Sequence, residues 1–195
     1  RQLPSISLRQ RVRRPTEAEL ERVPWWSLLD ADERSRAAAD MQVADAEPGE
    51  FMCRIGRPAT LWFGVVEGLL KMSNDSAAGA PITFTGVPSG AWFGEGTLLK
   101  RESYRYNIEA LRKSVVAGLP IATFEWLLER SLPFNRHLMN QLNERLGQFI
   151  AAREIGAGHY DHRIQLEAAD EFGAMVDAFN TMAAEVASSR RRLER

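Results

Sequence analysis

The chain has 195 residues, 45% of them apolar, and 25 Lys+Arg against 26 Asp+Glu give a net charge of -1. This excludes a wholly disordered, collagenous or membrane-embedded chain, and it leaves no global field to draw the protein to nucleic acid or an anionic membrane. Cys53 stands alone, which excludes an intrachain disulfide and a cysteine-built zinc site and suits a reducing compartment.

Residues 1–16 carry Arg9, Arg11, Arg13 and Arg14 among polar neighbours and are expected to form a loose basic arm. No apolar run follows these arginines, so the segment is not a secretory signal, and without an initiator Met the chain reads as a fragment or a fusion. A helix is predicted to start at Thr16, and Trp25, Trp26, Leu28 and Leu29 form an apolar cluster behind it. A second short helix is predicted over 30–40. Between Pro48 and Pro120, recurrent glycines punctuate short runs of Phe, Trp, Val, Ile and Thr, the pattern of many short antiparallel strands. Turns are expected at Glu67-Gly68 and over 76–79. Tyr104, Tyr106, Ile108 and Ala110 alternate with Arg105, Asn107 and Glu109 as one two-faced strand.

A short helix is predicted from Thr123 to Arg130, and Pro133 opens a long one of about 33 Å reaching Ile155. Met139, Leu142, Leu146 and Phe149 recur along it at a spacing that suits a dimer seam. Farther on, Phe172, Phe179 and Val186 repeat every heptad, with Met175 and Met182 falling between them, again a helix-packing stripe.

Five motifs follow one another in register: Pro48-Gly-Glu, Ile55-Gly-Arg-Pro, Val66-Glu-Gly-Leu-Leu-Lys, Trp92-Phe-Gly-Glu-Gly-Thr-Leu-Leu-Lys and Tyr104-Arg-Tyr-Asn-Ile-Glu-Ala-Leu. Together they resemble the cyclic-nucleotide-binding sensory domain of CRP/FNR-type bacterial transcription regulators, over about residues 20–153. The resemblance implies an α+β fold, an antiparallel β jelly roll with flanking helices followed by a long dimerisation helix. It also implies a ligand site in which Gly94, Glu95 and Gly96 offer backbone amides and a carboxylate and Arg105 holds the phosphate of a cyclic nucleotide or other small anion. The sequence departs after Arg105: Tyr106 and Asn107 stand where the family has a small residue and an alanine, so bulk enters the pocket.

A CRP/FNR protein continues into a winged helix-turn-helix. Here Gly158, Asp170, Glu171 and Gly173, then Phe179, Asn180 and Met182, instead resemble a HAMP linker over about 150–195. That resemblance implies a helix-connector-helix relay whose core comprises Tyr160, Ile164, Phe172, Met175, Phe179, Met182 and Val186, a downstream output domain, and proximity to a membrane. The domain division is therefore an arm over 1–16, a roll with N-terminal helices over 17–131, a connecting helix over 132–155 and the relay over 150–195.

Two histidines, His159 and His162, lack a third ligand at metal-site spacing, and no nucleophile motif or phosphate loop occurs, so neither a metal site nor an enzyme is expected. The functional expectation is a cytoplasmic, homodimeric, non-enzymatic sensory module that couples the roll to the relay, alone or within a membrane-associated sensor. The alternative is the dimerisation body of a DNA-binding regulator whose reading head is missing or replaced; this chain alone is not expected to bind DNA.

Overall fold

In the computed structural model, residues 11–75 and 81–156 are described, with side chains for 11–74 and 85–147. Helix α1 (Glu17–Glu21) starts at a capping box: Thr16 Oγ1 accepts from the Glu19 amide at 3.3 Å and Glu19 accepts from the Thr16 amide at 2.8 Å. Helix α2 (Ala31–Asp40) repeats the device with Asp30 and Glu33.

Eight strands follow: β1 (Gln42–Ala46), β2 (Phe51–Cys53), β3 (Leu61–Glu67), β4 (Leu69–Asp75), β5 (Pro81–Pro88), β6 (Trp92–Phe93), β7 (Asn107–Ala110) and β8 (Ser114–Pro120). They form two antiparallel four-stranded sheets, ordered β1-β8-β3-β6 and β2-β7-β4-β5, the jelly roll expected from the sequence. Helix α3 (Glu95–Leu99) lies between β6 and β7, and α4 (Ile121–Arg130) and α5 (Leu132–Gly156) close the described chain.

Alternation along β3 gives the sheet two apolar faces. Phe63 and Val65 join Ala44, Met52, Phe93, Ile108 and Val116 in the core between the sheets. Trp62 faces the other way, within 5.5 Å of the ring centroids of Trp25, Trp92, Phe124 and Phe134. This second aromatic cluster fastens the helices to the roll. Two polar links assist it, a buried one from Ser131 Oγ to Glu33 at 3.1 Å and a part-buried one from Thr123 Oγ1 to Asp40 at 2.5 Å.

Two expectations shift. Arg11 and Arg13 of the arm are tied down: Arg13 exchanges two 2.8 Å backbone bonds with Val43 at the free edge of β1, Arg11 pairs with Glu50, and Arg13 pairs with Glu19 at 2.6 Å. An open strand edge offers unpaired amides and carbonyls, and the arm satisfies them. The strand expected from Tyr104 begins only at Asn107, because Tyr104 instead bonds to the loop before β3: its amide donates to the Arg57 carbonyl at 3.0 Å and its carbonyl accepts from Gly56 at 2.8 Å. The turn expected over 76–79 lies outside the described residues.

Candidate ligand site

Strand β6 delivers Phe93 to the core and then turns at Gly94, whose φ of +97° is a conformation that favours glycine. The turn opens α3 and places Glu95 inside, 3% exposed, with Trp62 Nε1 donating to Oε2 at 3.3 Å. That bond meets the need of a buried indole N–H and directs the carboxylate toward the aromatic cluster. Gly96 faces open space.

Arg105 lies on the outside. Its side chain is 79% exposed and pairs with Glu102 at 3.1 Å, so the structure does not bring Arg105 and Glu95 around one anion. Inside, Tyr104 is buried and Tyr106 packs on the roll core, their ring centroids 5.9 Å apart. Both close on the turn: a Cβ added to Gly94 would lie 3.7 Å from Tyr104 Cε1 and 3.8 Å from Tyr106 Oη. Asn107 breaks the alternation, buried with its Oδ1 accepting from the Ile55 amide at 3.0 Å.

A cleft of about 680 Å³, with Tyr104 in its wall, opens in the roll where β1 and β2 are the edge strands of their sheets. Its walls include Ala44, Phe51, Cys53, Leu61, Phe63 and Val116, Val12 of the arm lines it, and Arg54 and Arg57 are its charged residues. Burial pushes the Cys53 thiol up to about 12, so the thiol is protonated and this wall is neutral. Neither Arg54 nor Arg57 is among the site residues expected from the sequence, although Arg57 belongs to the Ile55-Gly-Arg-Pro motif. Their signal was a pair of arginines flanking the Ile55-Gly56 turn directly after an apolar run.

Of the expected dimer seam, Met139, Leu142 and Leu146 are exposed on α5, and the side chain of Phe149 lies outside the described residues. The expected relay residues Gly158, Tyr160, Ile164, Asp170, Glu171, Phe172, Gly173, Met175, Phe179, Met182 and Val186 also lie outside them, as do His159 and His162. Among the described residues no group of three or more His, Cys, Asp or Glu could hold a metal ion, and no helix is long and apolar enough to cross a membrane.

Comparison with known proteins assigns both segments. Residues 44–131 match the family model of the cyclic nucleotide-binding domain and residues 150–188 that of the HAMP domain. The chain joins a cyclic nucleotide-binding domain to a HAMP domain. The fold of the cyclic nucleotide-binding domain is shared with the sensor domain of the transcriptional regulator DNR from Pseudomonas aeruginosa (TM-score 0.57, 16% identity, 78% of this chain and 90% of that one). It is shared with the Thermus thermophilus catabolite activator protein (TM-score 0.56, 20% identity, 68% of this chain and 61% of that one). A Ruegeria pomeroyi protein described as cyclic nucleotide binding is similar to the same degree (TM-score 0.56, 18% identity, 71% of this chain), and the present chain spans 62% of its length. A search of the curated proteins returned no match.

Proposed function

We propose that the chain is a non-enzymatic signalling module in which the state of the cyclic nucleotide-binding roll passes along a dimeric helix into the HAMP segment and on to an output domain. The observation that carries this reading is α5: it begins at Leu132 and continues as one helix to Gly156, past residue 150 where the HAMP match begins. The exposed Met139, Leu142 and Leu146 support pairing of this helix with a second copy.

A continuous helix transmits rotation, so helical phase is the variable to test. Inserting one residue after Ile150 turns everything downstream by about 100°, whereas inserting four nearly restores the phase. In dimers carrying Met182→Cys, disulfide cross-linking is expected to fall sharply with the one-residue insertion and to recover with four. Equal cross-linking in all three proteins would mean that the two domains act independently.

The outward Arg105, 79% exposed and paired with Glu102, and the bulk of Tyr106 and Asn107 favour a ligand other than a cyclic nucleotide held by Arg105. Tyr104 and Tyr106 close on the turn at Gly94, and Glu95 is committed to Trp62. Calorimetric titration with cyclic AMP and cyclic GMP is expected to give no saturable heat for the wild type. Saturable binding weakened by Arg105→Ala by about 2–3 kcal/mol, the value of a charge-assisted phosphate contact, would restore the site at Gly94, Glu95, Gly96 and Arg105.

A further inference from the structure

The cleft between β1 and β2 has a built chemical character. Its walls are apolar and aromatic, with Ala44 and Gly118 contributing little side chain, so space remains where larger residues would meet across the sheets. The loop of residues 54–60 sets two guanidinium groups at its rim: Arg54 lies over the Phe51 ring at 3.9 Å, and Arg57 is exposed two residues before Ala59. Neither makes an ion pair among the described residues, and no Asp or Glu lines the cleft. Arg57 is nevertheless well placed, because its backbone carbonyl accepts from Tyr104 and its amide donates to Arg54. The Arg13 backbone, held to Val43, keeps Val12 at the opening.

An apolar chamber of this size with two cations at its mouth and no anion complements one class of small molecule. We propose that the cleft binds an amphipathic anion, an apolar body seated against Phe51, Leu61 and Phe63 with one carboxylate or phosphate head held by Arg54 and Arg57. The inference rests on the reading of the roll as a ligand sensor, and Tyr104, in the wall of the cleft, also lies against the Gly94 turn.

The test uses two fluorescent probes on the full chain, 8-anilinonaphthalene-1-sulfonate and its neutral counterpart N-phenyl-1-naphthylamine. The sulfonate is expected to bind saturably, one per chain. Arg54→Gln with Arg57→Gln should weaken it by about tenfold or more and leave the neutral probe unchanged, since only the charged head loses its partners. Ala44→Phe should exclude both probes by filling the chamber. If that protein does not fold, Thr60→Trp on the exposed rim should obstruct entry without touching the core. Dodecanoate or dodecyl phosphate should displace the sulfonate while dodecanol does not, and whichever acts at lower concentration identifies the head group. Sulfonate binding unchanged in the double arginine variant, or displacement by dodecanol as effective as by the anions, would overturn the site. Both results are independent of the cross-linking test, so the site and the relay can fail separately.

Discussion

Trp62→Ala is expected to remove most of the roll's stability, about 3–5 kcal/mol for the lost indole. The indole is 1% exposed and touches four aromatic rings drawn from the 23–29 segment, β6, α4 and the first turn of α5. Its removal opens a cavity that rigid neighbouring rings cannot collapse to fill. It also takes the Nε1 donor from the buried Glu95 carboxylate, a further cost of about 1–3 kcal/mol. Against a typical domain stability of roughly 5–15 kcal/mol, the variant should be largely unfolded in mild urea. Trp62→Phe separates the two contributions, because it keeps most of the packing and loses the hydrogen bond. Trp26→Ala, at the half-buried edge of the cluster, should cost far less. A urea midpoint for Trp62→Ala no lower than that of Trp26→Ala would show that this cluster does not hold the helices to the roll.

Gly68→Ala should be a strongly damaging methyl addition at the turn between β3 and β4. The residue sits at φ +118°, and its Cβ would fall 2.1 Å from Ser114 Oγ and 2.7 Å from Ser114 Cα. The second contact is with backbone, so no side-chain rotation relieves it and β8 must move. That movement strains bonds at the same corner: Ser114 Oγ accepts from the Leu69 amide at 3.2 Å and donates to the Arg112 carbonyl at 2.8 Å. Backbone strain of about 1–3 kcal/mol adds to overpacking of about 1–3 kcal/mol. Gly56→Ala is the control, since its φ of +78° brings strain but no atom lies within 4 Å of the added Cβ. Thermal unfolding should show Gly68→Ala clearly below Gly56→Ala. Equal losses would mean that the corner yields and only the dihedral matters.

The architecture was legible because it rests on local, repeating signals. The capping boxes at Thr16 and Asp30, the glycine-punctuated strands, the turn at Gly68 and the proline in the first turn of α5 all act within a few residues of themselves. The site was less legible, and Arg105 shows why. The period-two pattern already placed Tyr104 and Tyr106 on one face and Arg105 on the other, yet the family motif asks Arg105 to face the same pocket as Glu95. In the structure the alternation holds from Tyr104 to Tyr106, before Asn107 breaks it: Tyr106 takes the inward place and Arg105 the outward one. Trp62 lies 33 residues from Glu95 in the sequence, and nothing local to either residue announces their hydrogen bond.

The amino-acid sequence by itself determined the order of the elements, the two-sheet roll, the long helix and the two families joined along the chain. The element order and the long helix follow from turn chemistry and periodicity, which are short in range, while the two-sheet roll and the two families are what the resemblance of the motifs implies. Only the tertiary structure decided where the roll has room. Arg54 and Arg57 come to the rim of a cleft bounded by Val12, Ala44 and Val116, and the edges of β1 and β2 meet there because each lies at the border of a different sheet. A cavity is what packed side chains leave unfilled, a property of residues distant in sequence, and no local pattern encodes it.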